Sequence, residues 1–296
     1  MELYDCIIIG AGPGGLQAAI HLARFNQKVL LIDRGGGRTR HAVHIENFLG
    51  QPLITGKELV DIGLSQLAKF GVQTIRETVT QVSKNSDDCF EVVTKDHQFL
   101  AHFVIASSGA TENLPRLKNL NQFWGSHVFT CVDCDGYRTI GKKLLVMGND
   151  INAVRVSFGM KEMFTRELTL LLTEFNPPAD YLEELKREQI EVVTGKPVAL
   201  FGEGSLAGVT LEDGREIGCE VVMINYGLVL NDAYLSKLPL ERDGDNFKIV
   251  TDHNNQSSVD KLYAVGALRQ GHAQAIIAAG QGATTAIEIN SRLLGL

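Results

Sequence analysis

Cys131-Val132-Asp133-Cys134-Asp135-Gly136 sets two thiols two residues apart, with a carboxyl group directly after the second. Cysteines at this spacing can close a small ring, so that one thiolate attacks a partner's disulfide while the other resolves the mixed intermediate. Asp135 offers a carboxyl group for the proton transfers that such an exchange requires. Zinc is a competing use of the spacing, but a zinc site wants four ligands in two clusters. The chain has no second Cys-x-x-Cys and no His-x-x-x-His, and His127 or Cys219 could assist only by accident of folding, so no metal site is expected. A buried pair with a purely structural role is the third reading. Cys6, Cys89 and Cys219 lie far apart and read as small buried apolar residues rather than as a secreted disulfide framework.

A second chemical locus opens the chain. Tyr4 to Ile9 is a short run rich in β-branched residues that leads into Gly10-Ala11-Gly12-Pro13-Gly14-Gly15 and then into a helical pattern from Leu16 to Phe25. In such a strand, turn and helix, Gly10 permits the sharp turn and Gly12 lets the backbone approach a pyrophosphate. Gly15 allows the helix to pack closely on the strand, and the helix N-terminus faces the phosphate charge. Lys28 to Ile32 forms the next strand and ends at Asp33, where a carboxylate can accept hydrogen bonds from an adenosine ribose. A second unit of the same kind begins at the apolar strand Leu144 to Met147. It turns at Gly148-Asn149-Asp150, continues as a helix from Ile151 to about Phe164, and returns as a strand over Leu168 to Leu172. Short alternating segments between Glu191 and Ile224 read as a small antiparallel layer and a last strand, and a helix spans His272 to Leu293.

The 296 residues permit two domains with separate cores, and 44 % hydrophobic with 21 % charged residues excludes a disordered or fibrous chain. A net charge of −7 argues against nucleic acid as a general partner. No apolar run approaches the roughly 18 to 20 residues that span a bilayer, and Met1-Glu2-Leu3 leads directly into a strand, so a soluble cytoplasmic protein is expected.

Together these segments resemble the low-molecular-weight thioredoxin reductase family of flavoproteins. The resemblance covers nearly the whole chain. Besides the glycine loop and the cysteine motif it includes Ile45-Glu46-Asn47-Phe48-Leu49-Gly50, similar to the family's flavin-contacting loop, and Ile54-Thr55-Gly56-Lys57-Glu58-Leu59, which opens a helix. It also includes Val104 to Ala110, where the chain leaves the flavin domain. The closing flavin segment is Tyr263-Ala264-Val265-Gly266, followed by Gln274-Ala275 and Ala278-Ala279-Gly280-Gln281-Gly282. The resemblance implies an α/β fold of two Rossmann-like, doubly wound, three-layer ββα dinucleotide-binding domains, the second inserted into the first. The FAD-binding domain would comprise 1–113 and 240–296, and 114–239 would carry the disulfide. It implies FAD held by Gly10, Gly12, Pro13, Gly15, Asp33, Arg34, Asn47, Ser108, Gly109, Gly266, Ala267, Gln274 and Ala275. Cys134 would exchange electrons with the flavin, Cys131 with a thioredoxin-like or other dithiol protein, and Asp135 would be the acid or base. A homodimer is implied as well.

The chain departs from that pattern in its inner domain, where the family binds NADPH through a Gly-x-Gly-x-x-Ala loop and basic residues after the next strand. Asp150 stands at the second glycine and adds a negative charge where a pyrophosphate would approach. After Leu172 comes Thr173-Glu174-Phe175-Asn176-Pro177-Pro178, which contains no arginine for a 2′-phosphate. Ala267 replaces an aspartate that in the family contacts the flavin's ribityl and phosphate region. Arg34-Gly35-Gly36-Gly37-Arg38-Thr39-Arg40-His41 reads either as a solvated basic loop or as an anion-binding surface. These departures are similar to two offshoots of the family that have lost the pyridine site. One is ferredoxin-linked, and the other holds a second FAD and runs electrons from dithiol to flavin. The expectation is a FAD-dependent dithiol/disulfide oxidoreductase that does not use NADPH and works with a second FAD, or with ferredoxin or a membrane-linked protein as redox partner. The alternatives are an NAD(P)H-dependent reductase with degenerate loops and a non-catalytic flavin-binding redox sensor.

Overall fold

Cys6 to Ile9 and Val29 to Ile32 are buried at every position, as strands at the centre of a parallel sheet covered on both faces must be. The computed structural model describes residues 1–244 and 247–296. They form two compact units, Met1–Thr111 with Val229–Leu296, and Glu112–Leu228 inserted between them.

The first unit begins with β1 (Leu3–Ile9), α1 (Pro13–Arg24), β2 (Val29–Ile32), α2 (Gly56–Ala68) and β3 (Gln73–Ile75). The meander β4 (Val79–Lys84), β5 (Phe90–Thr94) and β6 (Gln98–Ala106) follows. The sheet order is β3-β2-β1-β6-β5-β4, parallel from β3 to β6 and antiparallel beyond. α2 starts where its sequence says it should. Thr55 Oγ1 accepts the Glu58 N–H at 3.2 Å, and Glu58 Oε2 accepts the Thr55 N–H at 2.9 Å, a reciprocal cap that satisfies two helix-terminal donors.

The chain leaves this unit through β7 (Ala110–Glu112). The inserted unit holds α3 (Leu120–Phe123), β8 (Val128–Phe129), α4 (Val132–Asp135), β9 (Leu144–Gly148), α5 (Ile151–Met163), β10 (Leu168–Leu172), α6 (Ala179–Arg187) and β11 (Glu191–Thr194). It ends with β12 (Pro197–Phe201), β13 (Gly208–Leu211), β14 (Glu216–Gly218) and β15 (Val221–Asn225). A parallel sheet β11-β10-β9-β15-β8 has α5 and α6 on one face, and the antiparallel β12-β13-β14 packs on the other. The alternation is strict: Leu144, Val146, Leu170 and Leu172 face the helices, while Leu145, Met147 and Leu171 face the meander. The chain returns through β16 (Leu228–Leu230), adds β17 (Leu262–Ala264) to the C-terminal half of β6, and closes with α7 (Ala275–Leu293).

The return comes at Val229, earlier than the expected boundary near Leu240. The reason is packing: Tyr234 and Leu235 are buried in the first unit's core with Val79, Phe90 and Ile249. The fold is α/β with two Rossmann-like dinucleotide-binding domains. No helix among the described residues is long and apolar enough to cross a membrane.

Candidate functional site

The register aligns the carboxyl ends of the first unit's parallel strands. Ile9 pairs with Ile32 and with Ala106, Ile32 with Ile75, and Ala106 with Ala264. Gly10, Asp33, Arg76, Ser107 and Val265 therefore follow one another along a single edge, where open α/β sheets bind their ligands. A side chain on Gly15 would collide with Gly10 O and with Ser107 Oγ, so α1 can approach β1 this closely only with glycine there. At Gly12 the nearest atom to such a side chain is Ser107 O, 3.9 Å away, which leaves the backbone open toward the edge. Gly12 also gives α1 no side-chain cap, so the N–H groups of its first turn remain available to an anion.

Asp33 is held in place from both sides. Its Oδ1 accepts the Ala11 N–H at 3.0 Å and its Oδ2 the Gly35 N–H at 2.9 Å. Ser107 seals the floor by donating its hydroxyl to Gly10 O at 2.6 Å. The hydroxyl of the adjacent Ser108, a residue expected to bind cofactor, donates to Asn231 O at 2.7 Å and meets Tyr234 Oη at 2.8 Å. Gly109 accepts the Asn231 N–H at 2.9 Å, so both residues fasten the outgoing and returning chain segments. Burial pushes the Tyr234 phenol above its ordinary pKa, which keeps it a neutral hydrogen-bonding group.

On the same edge, Gly266 opens a short 3₁₀ turn through Ala267 to Leu268. Ala267 has no polar side chain, but the turn gains support from α7: Gln281 Oε1 accepts the Gly266 N–H at 2.7 Å. Gln274 caps α7 by position without a side-chain hydrogen bond to it, and Ala275 begins the helix. Asn47 and Arg34 are exposed. In the basic loop, Arg40 is paired with Asp61 at 3.1 Å and so is not a free anion ligand.

In the inserted unit Cys131 and Cys134 form a disulfide, with Cα atoms 5.3 Å apart. Cys131 precedes α4, and its carbonyl accepts the Asp135 N–H at 2.9 Å, which winds the chain into the turn that brings the sulfurs together. Both cysteines are half-buried. Asp135 pairs with Arg138, with Nε 3.4 Å from Oδ1. Gly136 lies against the Phe164 ring, where a methyl group would stand 2.6 Å from Cε2, and Thr139 Oγ1 donates to Gly136 O at 2.7 Å. The motif thus has a rigid C-terminal anchor.

The carboxyl edge of this unit is closed where the first unit's is open. Asp150 is the N-cap of α5, and its Oδ1 accepts the N–H groups of Asn152 at 2.9 Å and Ala153 at 3.3 Å. Those are donors that a pyrophosphate would use. Tyr226, just past β15, reaches Thr173, just past β10, with its hydroxyl 2.7 Å from Oγ1; Thr173 donates on to Gly195 O at 3.1 Å. This polar chain spans the end of β9. Glu174 is exposed beside it, and the nearby cations are engaged: Lys196 with Glu212 at 2.8 Å, and Arg215 with Asp213 at 2.8 Å.

Among the remaining thiols, Cys6 and Cys219 are buried as expected, and burial pushes the Cys219 thiol up to about 12. Cys89 differs: it is half-exposed, with Sγ 3.7 Å from His102 Nδ1. No group of three or more His, Cys, Asp or Glu suited to a metal occurs among the described residues.

The family model for pyridine nucleotide-disulphide oxidoreductases matches residues 4–282. The chain belongs to this family. The thioredoxin reductase of Treponema pallidum is 30 % identical over 295 residues, covering 96 % of this chain and 95 % of that protein. NADPH-dependent thioredoxin reductase 3 of Arabidopsis thaliana is 27 % identical over 96 % of this chain, which spans 57 % of that longer protein. The crystal structure of thioredoxin reductase from Streptococcus pyogenes superposes with a TM-score of 0.90 at 25 % identity, covering 99 % of each chain. This pyridine nucleotide-disulphide oxidoreductase is a thioredoxin reductase-like flavoprotein, a flavin-dependent disulfide oxidoreductase. The family implies FAD, and the first unit's edge fits it, with an open glycine cradle, an uncapped helix N-terminus and a fixed carboxylate at the end of β2.

Proposed function

We propose that the chain is a dithiol/disulfide oxidoreductase in which FAD is held by the first unit and electrons pass between flavin and the Cys131–Cys134 pair, with neither NADPH nor NADH as the other redox partner. The observation that carries this reading is Asp150, whose carboxylate takes up the N–H groups at the start of α5. A ligand phosphate would have to displace a covalently tethered anion and would then face its charge. The bridge from Tyr226 through Thr173 to Gly195 and the exposed Glu174 support the same conclusion.

When bound, FAD supplies a two-electron carrier. Gly10, Gly12, Pro13 and Gly15 would admit its pyrophosphate, Asp33 its ribose, and the segments around Asn47, Gly266, Gln274 and Ala275 its flavin half. Closing the cysteine dithiol into a disulfide releases two electrons and two protons, and Asp135 accepts one of those protons from the thiol beside it. Cys131 exchanges with a thioredoxin-like dithiol protein and Cys134 with the flavin. Arg138 lies beside the Asp135 carboxylate as its ion-pair partner. The protein acts as a homodimer, as its family does.

An anaerobic flavin spectrum tests this reading, with NADPH, NADH, reduced ferredoxin and a dithiol added in turn. The dithiol or ferredoxin should alter the flavin absorbance within seconds, and the nucleotides should leave it unchanged. Bleaching by either nucleotide within the turnover time would overturn the proposal. Flavin released per polypeptide then narrows the candidate partners: a value of two supports a second FAD, and a value of one leaves ferredoxin or a membrane-linked redox partner.

A further inference from the structure

Gly56, Val60, Gly63 and Leu67 turn one face of α2 inward, where a methyl group on Gly63 would stand 2.8 Å from Leu16 Cδ1 of α1. The opposite face carries Glu58, Ile62, Ser65 and Lys69 at helical spacing, with Asp61 and Gln66 flanking the middle pair. A groove of about 610 Å³ runs along this face, and Leu53 and Ile62 both line it. Just before α2 the chain makes a tight hairpin, in which Ile45 pairs with Ile54 and Phe48 with Gln51, and Gly50 at φ +89° turns the tip. Leu49 at that tip is 92 % exposed, Leu53 56 % and Ile62 45 %. Apolar side chains left in water cost free energy until something covers them.

The polar groups of the face are ordered along the helix, acids first. Glu58 Oε2 takes both the N–H and the hydroxyl of Thr55, at 2.9 Å and 2.8 Å, which leaves Oε1 open. At the other end, no hydrogen bond or ion pair to the Lys69 side chain occurs among the described residues. Between them Ser65 donates its hydroxyl to Asp61 O at 2.8 Å, so it makes no polar demand on a surface packed against it.

We propose that a second copy of the chain docks on this face, with the two α2 helices antiparallel across a two-fold axis. The inference gives a surface to the homodimer of the proposed function and rests on that part of it alone. Turned by half a rotation about a point between Ile62 and Ser65, the stripe falls on itself. Glu58 then meets the partner subunit's Lys69, Ile62 meets the partner's Ser65, and Asp61 meets the partner's Gln66, whose amide can donate to it. Each contact occurs twice, and the internally bonded serine lets Ile62 pack where the helices cross. The reversal also carries each hairpin toward the C-terminal end of the partner's α2, which covers Leu49 and Leu53. A partner of single-signed charge would meet a like charge at one end of the stripe, whereas a second copy meets none.

Sedimentation velocity of the full-length, flavin-loaded protein tests the assignment. Wild type should sediment as a dimer. Ile62→Glu sets two carboxylates against each other beside the axis and should weaken association by at least about 100-fold. Lys69→Glu should weaken it by about tenfold, and adding Glu58→Lys should restore most of that loss, because the pair re-forms with its signs exchanged. Ile287→Glu, at an isoleucine 51 % exposed on α7, is the control and should leave the dimer intact. Far-UV circular dichroism of Ile62→Glu should match wild type, since the side chain points outward, and Lys69→Glu probes the same face through a residue that bonds to nothing in its own subunit. A dimer that withstands Ile62→Glu would overturn the assignment, as would dissociation by Ile287→Glu alone. A monomeric wild type would overturn this inference and the homodimer together, and it would leave the redox reading standing, because flavin reduction by a dithiol is measured separately.

Discussion

Replacing Asp150 with glycine should open the inserted unit's nucleotide edge, and the structure allows the gain to be estimated. The carboxylate contributes in two ways: it occupies the Asn152 and Ala153 N–H groups, and it places a negative charge at the helix start. A pyrophosphate bound there would carry two charges at about 5 Å, each repelled by roughly 0.8 kcal/mol with water-like screening and about 3 kcal/mol at an effective dielectric of 20. Even the weaker figure gives about 1.6 kcal/mol for the pair, slightly more than a tenfold change in affinity. Against this, glycine is a tolerable N-cap that costs only a few tenths of a kcal/mol, with about 0.3 to 1 kcal/mol more for the lost charge at the helix dipole. Asp150→Gly should therefore fold and should bind NADH or NADPH at least about ten times more tightly than wild type. Titration of nicotinamide fluorescence in the flavin-free protein measures this directly. Asp150→Asn separates the two contributions, because asparagine still caps the helix but carries no charge; its affinity should fall between the other two. Unchanged nucleotide affinity in both variants would refute the argument that Asp150 is the obstacle.

Other perturbations follow from the same geometry. Gly15→Ala drives a methyl group into Gly10 O and Ser107 Oγ, which are tied to each other at 2.6 Å and cannot yield separately. It should cost about 1 to 3 kcal/mol of stability, and the purified protein should show loss of bound flavin absorbance. Among the thiols outside the disulfide, only Cys89 should react with iodoacetamide at pH 8 in the native protein, because Cys6 and Cys219 are buried and their thiols are pushed up well above that pH. Peptide mapping by mass spectrometry reads the outcome, and rapid labelling of Cys219 would contradict the packing. Asp88 is lowered to about 2, chiefly by its hydrogen bond to Lys261 and then by that to Lys84. Its contribution is present above the ordinary carboxylate range and is lost as pH falls through about 2, so Lys261→Met should flatten stability specifically on the acid limb.

What the sequence made legible was mostly local. Leu168 to Leu172 reads as a strand because four leucines in five residues lie between turn signals, and the glycine loop reads as a cradle because its spacing is set by one turn and one helix. The contribution of Ser107 was hidden by its neighbour: two adjacent serines look alike, and only the strand's register decides that Ser107 faces Gly10 while Ser108 faces Asn231. The return of the chain at Val229 was equally opaque, because Tyr234 and Leu235 join a core whose other members lie far away in sequence. Arg76 is the extreme case, because its place beside Asp33 exists only through the pairing of β2 with β3 across the whole of α2. Asp150 was visible as a charge in the wrong place, but its two backbone bonds required the helix to be seen.

The two equivalent helix starts lead to one further prediction. α1 begins at Gly12 with no side-chain cap, so its first N–H groups find a full-strength partner only when an anion binds; α5 begins at Asp150 and satisfies its own. A ligand stabilises the native state by RT ln(1 + [L]/Kd), about 4 kcal/mol at a thousandfold excess over Kd, but only where it binds. Calorimetry of the flavin-free protein should therefore show FAD raising the unfolding temperature of the first unit by several degrees. NADPH at millimolar concentration should move neither transition, because the inserted unit already carries its own anion. A comparable shift with NADPH in wild type, absent in a control without the nicotinamide dinucleotide, would mean that Asp150 swings aside for the ligand. The closed edge would then be a gate, and the redox disulfide would again draw its electrons from the nicotinamide that its family name implies.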